Sequence, residues 1–459
     1  MSLLIKNGEI VTASERYMAD ILCDNEVITR IEPDITPPPG AEVINAKGKY
    51  VFPGFIDPHV HIHLSFMGTF AKDNYETASK GALVGGTTTL IEMCAPPRSH
   101  DTLEGFEFWM RNALGKSACD FSFHIGVTKF DTKTEQQLRQ IVARGISSFK
   151  IYLAYKGFGL DDTELYRTLK LAKELGVIVT AHCENETLIA ELQNELLAAG
   201  KTDPGQHHES RPPIVEAEGV HHLMTFAKLT GAATYIVHLS CQEALQEAVA
   251  SRQGGARVDI ETLIQYLTLD KTCAEKPNFE GAKYVMSPPL RDKSNQPVLW
   301  DGLRSGIIQT VATDHCPFDF KTQKVMGKED FTQIPNGIPS LQDRINILYT
   351  YGVKAGKIDL HRFVDSASTR AAKIFGLFPR KGNIQPGADA DLVIFDPNYR
   401  GRISAKSQYV NVDYNVFEGW EVEGRPSVVT VRGQVMVRDG KFVGKIGHGK
   451  FLQRAPGHF

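Results

Sequence analysis

Two kinds of hydrophobic patterning divide the chain. Near both ends apolar and polar residues alternate with a period of two. LLIKNGEIVT, ADILCDNEVITRIEP and EVINAKGKYVF do so at the start, and ADLVIFDP and SVVTVRGQVMVRDGKFVG at the end. That period belongs to half-buried strands, with turns expected at Asn7-Gly8, Asp24-Asn25 and Asp439-Gly440. Each end alone is small for a stable sheet. The pattern therefore predicts that residues 1–52 and 376–459 pair into one composite β-sandwich, with 53–375 inserted between them.

The middle is patterned differently. Short apolar runs at 54–61, 87–93, 120–126, 148–153, 177–183, 234–239, 256–262 and 309–314 alternate with helix-like stretches such as DTELYRTLKLAKELG and TLIAELQNELLAAG. Strands alternating with helices predict a parallel (β/α)8 TIM-like barrel for 53–375. An open doubly wound sheet would show a Gly-rich phosphate loop after a strand, and none is present.

Composition narrows the partners. Lys plus Arg is 51 and Asp plus Glu is 54 in 459 residues, a net charge of −3. That balance gives no electrostatic reason to expect nucleic acid or an anionic membrane. No apolar run approaches a membrane span, and MSLLIKNGEIV lacks the plan of a secretory signal. Seven scattered cysteines form no disulfide framework, so a reduced, cytoplasmic protein is expected.

Polar residues gather at the C-terminal ends of the expected barrel strands, where barrel enzymes keep their active sites. The first strand ends in Asp57-Pro58-His59-Val60-His61, and alternation puts both imidazoles on one face, with Asp57 placed to orient one of them. Lys150, His182, His238 and Asp314 close four further strands. One such histidine is ordinarily a core residue. Five strand ends carrying such groups at the same mouth point instead to a site for Zn²⁺ or a similar metal. Lys150 fits that set only as a neutral amine that has taken up carbon dioxide, because a carbamate can bridge two cations whereas an ammonium repels them.

These residues resemble a known group. PGFIDPHVH, SSFKIYLAY, AHCEN, VHLS and VATDH, with GGTTTLIEM, VMSPPLR, PNGIP and KGNIQPGADADLVIFDP, are similar to the dihydropyrimidinase and hydantoinase family of the amidohydrolase superfamily, over nearly the whole chain. The resemblance implies two divalent metals per subunit, bridged by carboxylated Lys150 (N6-carboxylysine) and bound by His59, His61, His182, His238 and Asp314. Zn²⁺ is the expected ion, and Mn²⁺ or Co²⁺ would support the same role. It further implies a homotetramer, a metal-bridging hydroxide as nucleophile, Asp314 as proton carrier and Tyr155 as oxyanion donor. The backbone at Ser287 and Asn336 would hold the substrate ring. The reaction implied is ring opening of a dihydropyrimidine or 5-substituted hydantoin to an N-carbamoyl amino acid.

One departure bears on the substrate. Where dihydroorotases carry an arginine for a ring carboxylate, this chain has His63. Leu64, Phe66, Met67 and Phe70 follow, so an apolar substituent pocket built on Leu64 and Phe66 is expected. An allantoinase or imidase with the same centre is the near alternative, and a noncatalytic structural relative the distant one. Cys183 and His124 read as core residues, His207-His208 and His221-His222 as surface or subunit contacts, and the tail GHGKFLQRAPGHF as an interface arm.

Overall fold

The computed structural model describes residues 2–455. A barrel of eight parallel strands is built from β6 (Phe55–Val60), β9 (Thr87–Cys94), β10 (Asp120–Gly126), β11 (Ser148–Tyr152), β12 (Ile178–His182), β13 (Thr234–Ile236), β14 (Val258–Leu263) and β15 (Thr310–Ala312). Neighbours pair in chain order. His61 N donates to His315 O at 2.8 Å, bringing the last strand back to the first. Each strand falls within or next to an apolar run of the sequence. The helices between them cover the outer face, which is why the strands are apolar on both sides. A two-stranded hairpin, β7 (Ser65–Phe66) with β8 (Thr69–Phe70), rises from the barrel mouth.

The second layer draws on both ends of the chain. β1 (Leu3–Val11), β2 (Arg16–Asp24), β3 (Val27–Glu32), β4 (Glu42–Asn45) and β5 (Tyr50–Pro53) join β16 (Leu392–Arg402), β17 (Glu421–Val431), β18 (Gln434–Arg438) and β19 (Lys441–Phe442). The seam is antiparallel β5–β16, with Phe52 opposite Val393. These strands form one nine-stranded composite sheet, and Ile5, Ile21, Val51, Leu392 and Ile394 share its core.

Two local expectations are corrected. Asn7-Gly8 is not a turn: β1 runs through it, with a bulge between Ile5 and Gly8. Asn7 takes a φ of 60° and its N–H donates to Asp20 Oδ1 at 2.8 Å. A Cβ at Gly8 would lie 2.5 Å from Val51 Cγ2, so the close approach of β5 requires glycine there. The Asn-Gly pair signals positive φ, which a bulge uses as readily as a hairpin. The tail is likewise no free arm through residue 455. Leu452 is fully buried and Arg454 nearly so. The tail packs under the N-terminal end of the barrel, with Phe451 stacked on Phe123 at 5.8 Å. Residues 456–459 lie outside the described part. Among the described residues no helix is long and apolar enough to cross a membrane.

Candidate metal centre and pocket

The barrel mouth brings the six strand-end residues together. His59, His61, Lys150, His182, His238 and Asp314 are all buried and line one pocket. His59 Nε2 and His61 Nε2 lie 3.1 and 3.0 Å from Asp314 Oδ1. His182 Nδ1 lies 2.9 Å from His238 Nε2. The His59 and His238 rings, 5.5 Å apart, connect the two pairs. His238 and Asp314 carry φ of 41° and 49° just past their strands. Non-glycine residues held there store backbone strain, a recurrent feature of functional sites.

Two carboxylates outside the expected set fix the imidazoles. Glu261 Oε1 is 2.7 Å from His59 Nδ1, and Glu184 Oε2 is 2.9 Å from His182 Nε2. Each accepts one ring N–H, so the other ring nitrogen turns a lone pair to the centre. His59 Nε2 consequently faces the Asp314 carboxylate as acceptor against acceptor. It is buried with no hydrogen-bond partner, as is His61 Nδ1. Imidazole lone pairs and a carboxylate aimed at one another in a buried pocket fit a divalent cation between them. The ligand atoms of His59, His61 and Asp314 fall within 4.8 Å of one another.

The electrostatics agree. Burial opposes protonation of His59, yet Asp314 and Glu261 on either side outweigh it and raise it to about 9, so this spot demands positive charge. Burial holds His61, His182 and His238 below the usual imidazole range, in the neutral form that ligates metal. Burial works to raise Asp314, but the adjacent His59 and His61 hold it well below the carboxylate range. Burial lowers Lys150 to about 8 against the opposing pull of Asp314 and Glu261. Among the described residues no carboxylate pairs directly with Lys150, whose Nζ sits 4.8 Å from the Tyr152 ring centre.

The rest of the pocket wall comes from loops. Tyr155 follows β11 with a φ of 73°, its N–H held by the Glu186 carboxylate. Its ring lies 5.1 Å from those of His182 and Phe66, under the Arg211 guanidinium. Burial pushes Tyr155 up to about 12, so its hydroxyl keeps its proton. Asn336 Nδ2 donates to Ser287 Oγ at 3.0 Å. Among the described residues the Ser287 carbonyl accepts no hydrogen bond and the Asn336 N–H donates none. Gly337 permits the approach: a Cβ there would meet Cys316 O at 2.3 Å. Leu64, Phe66 and Phe158 form an apolar wall, while Phe70 points to solvent and His63 packs on Tyr75 and Phe108, away from the pocket.

Two expectations change. Asp57 orients no imidazole: its oxygens accept from His59 N at 3.2 Å and Thr313 Oγ1 at 2.7 Å, and Glu261 does the orienting. A strand whose apolar run includes Glu261 was the available signal. His207 is not at the surface: it is buried, with Nε2 2.9 Å from Met286 O and 3.2 Å from Ser287 Oγ. Cys183 stays in the core as expected, and Cys316, on the pocket wall, has a thiol that burial keeps protonated. His124 is satisfied by Ser148 and Pro58 O.

A family model described as "Amidohydrolase family" matches residues 50–436. A D-hydantoinase of Geobacillus stearothermophilus is 48% identical over 99% of this chain and 97% of its own length. A dihydropyrimidinase of Rattus norvegicus is 38% identical over 99% and 89%. Among solved structures, a D-hydantoinase (dihydropyrimidinase) from Thermus sp. superposes with a TM-score of 0.98 at 63% identity, covering all of both chains.

Proposed function

The chain belongs to the amidohydrolase family and is a cyclic amidohydrolase, and from that premise we propose that it opens 5-substituted hydantoins and dihydropyrimidines to N-carbamoyl amino acids with two bound metals. What carries this reading is the pocket itself: His59 and His61 with Asp314, His182 with His238, and Lys150 line one cavity together with Ser287 and Asn336, whose backbone carbonyl and N–H have no partner among the described residues.

His59, His61 and Asp314 would hold one divalent ion and His182 with His238 the other, with Lys150 between them. Lys150 would do so as the carbamate, its amine nitrogen bonding the carbon of CO₂ and releasing a proton. A buried amine with a pKa near 8 and no carboxylate partner supports that form. When bound, the ions supply Lewis acidity and make water a nucleophile at neutral pH. Zn²⁺ suits the nitrogen and oxygen donors, and Mn²⁺ or Co²⁺ would serve.

The chain's own groups do the rest. Asp314, ionised between two imidazoles, takes the proton of the attacking water and returns it to the leaving ring nitrogen. The Tyr155 hydroxyl donates to the oxygen on which charge develops. The Ser287 carbonyl accepts from the ring N–H and the Asn336 N–H donates to a ring carbonyl. The Leu64, Phe66 and Phe158 wall takes an apolar substituent and excludes water. The relatives from Geobacillus stearothermophilus and Thermus sp. bear the name D-hydantoinase, which favours the D enantiomer here. In this reading 53–375 carry the chemistry, and 1–52 with 376–459 support it. The family resemblance carries the homotetramer, and exposed Ile214 and Leu229 offer apolar surface for subunit contacts.

The test is ring opening by the metal-replete protein on dihydrouracil, hydantoin, both enantiomers of 5-phenylhydantoin, allantoin, succinimide and dihydroorotate. D-5-phenylhydantoin is expected to react faster than its L form and than unsubstituted hydantoin, with two metals per chain and one CO₂ in the native mass. Turnover of only allantoin, succinimide or dihydroorotate would overturn the substrate assignment.

A further inference from the structure

The two loops that would hold the ring are joined by a side chain that the chemistry above leaves unused. Lys324, at the start of the 3-10 turn Lys324–Gly327, is fully buried. Its Nζ donates to Val285 O at 2.8 Å and to Pro335 O at 2.6 Å. Among the described residues no carboxylate pairs with it. Val285 stands two residues before Ser287, and Pro335 directly before Asn336. One amine therefore spans both loops beside the groups assigned to the substrate.

The remaining bonds of these loops show the same division. Val285 O also accepts from Gly337 N at 3.0 Å. His207 Nε2 lies 2.9 Å from Met286 O, and the Tyr266 hydroxyl donates to Pro288 O at 2.6 Å. The carbonyls flanking Ser287 are thus occupied, while the Ser287 carbonyl and the Asn336 amide have no partner among the described residues. Burial lowers Lys324 to about 7, and the neutral amine still carries two N–H donors, one for each carbonyl.

We infer that Lys324 is a positioning residue for ring opening: by bridging Val285 O and Pro335 O it sets the separation of the Ser287 carbonyl and the Asn336 amide to that of a cyclic amide's N–H and C=O. The inference rests on the substrate reading above. If Lys324 served only to fill space, an apolar side chain of similar length would replace it, since burying an amine carries a desolvation penalty.

The experiment is steady-state kinetics of Lys324→Met on the best substrate of the panel, with metal content and inhibition by acetohydroxamate measured alongside. Acetohydroxamate is a metal-directed ligand and reads the centre without the ring-holding loops. KM is expected to rise about tenfold or more while kcat falls less than about threefold. Metal content and hydroxamate affinity should stay at the wild-type level. Lys324→Gln, which keeps an N–H donor, should give an intermediate KM, and it carries the comparison if the Met variant does not fold. An unchanged KM, or parallel loss of kcat, metal and hydroxamate binding, would overturn the role of Lys324. Failure of the wild type across the whole panel would instead strike the substrate reading.

Discussion

At the scale of single residues, the chemistry depends on which hydrogen each polar atom carries. Glu261 and Glu184 take one N–H each from His59 and His182, and so decide which nitrogens face the centre. Tyr155 is the converse case, a hydroxyl that burial keeps protonated and that therefore donates. Tyr155→Phe removes that donor and little else, because its ring contacts with Phe66 and His182 persist. We expect kcat to fall on the order of 10²-fold, with KM changed far less. Steady-state kinetics at full metal occupancy checks this, and a kcat within about twofold of wild type would remove Tyr155 from the oxyanion role.

At the scale of elements, the strand ends have to be held where they leave the sheet. Past β6 the chain no longer follows regular pairing, and Ile62 N donates to Glu92 Oε1 at 2.7 Å. Trp109 Nε1 donates to the same oxygen at 2.8 Å, and the Tyr75 hydroxyl bonds the other. Glu92 on β9 thus ties the segment carrying His61 to two helices. Burial raises its carboxyl from 4.5 to about 8. Between those values the folded chain keeps a proton that the unfolded chain has released. The stability linked to this group is complete below the window and is lost as pH rises through it. Glu92→Gln keeps the acceptor without the titration. Its thermal midpoint is expected to fall less than that of wild type between pH 5 and about 9. Parallel curves for the two proteins would show that Glu92 is not the group responsible.

At the scale of the whole molecule, barrel and composite sheet are locked by buried charge. Lys381 Nζ lies 2.6 Å from Asp120 at the start of β10, 2.7 Å from Asp391 and 2.9 Å from Asp389, and Arg432 reaches Asp120 from the β17–β18 turn. Beneath the barrel, Arg454 donates to Ser122, Ser147 and Ser148 hydroxyls at 2.8 to 2.9 Å. Arg454→Met would leave these buried acceptors short of a donor. We expect a loss of about 3 kcal/mol, read as a thermal midpoint lowered by several degrees with metal content unchanged. An unaltered midpoint would return the tail to the role of a peripheral arm.

Alternation is a local property, and so the sequence by itself determined the eight barrel strands, the strands near both ends, and the histidines, lysine and aspartate at the barrel strand ends. Each of those readings needs only neighbours a few residues apart. Asn7-Gly8 marks the limit of that reach, because the dipeptide specifies a positive φ but not whether a turn or a bulge uses it. Only the tertiary structure decided which acid orients which imidazole. Glu261 meets His59 across 202 residues, and Asp57, two residues away, was the nearer candidate. The same holds for Lys324, whose partners lie on two separate loops, for His207 beneath Ser287, and for the tail beneath the barrel. Those contacts follow from barrel closure and loop packing, which bring distant segments within hydrogen-bond distance and leave no periodic trace along the chain.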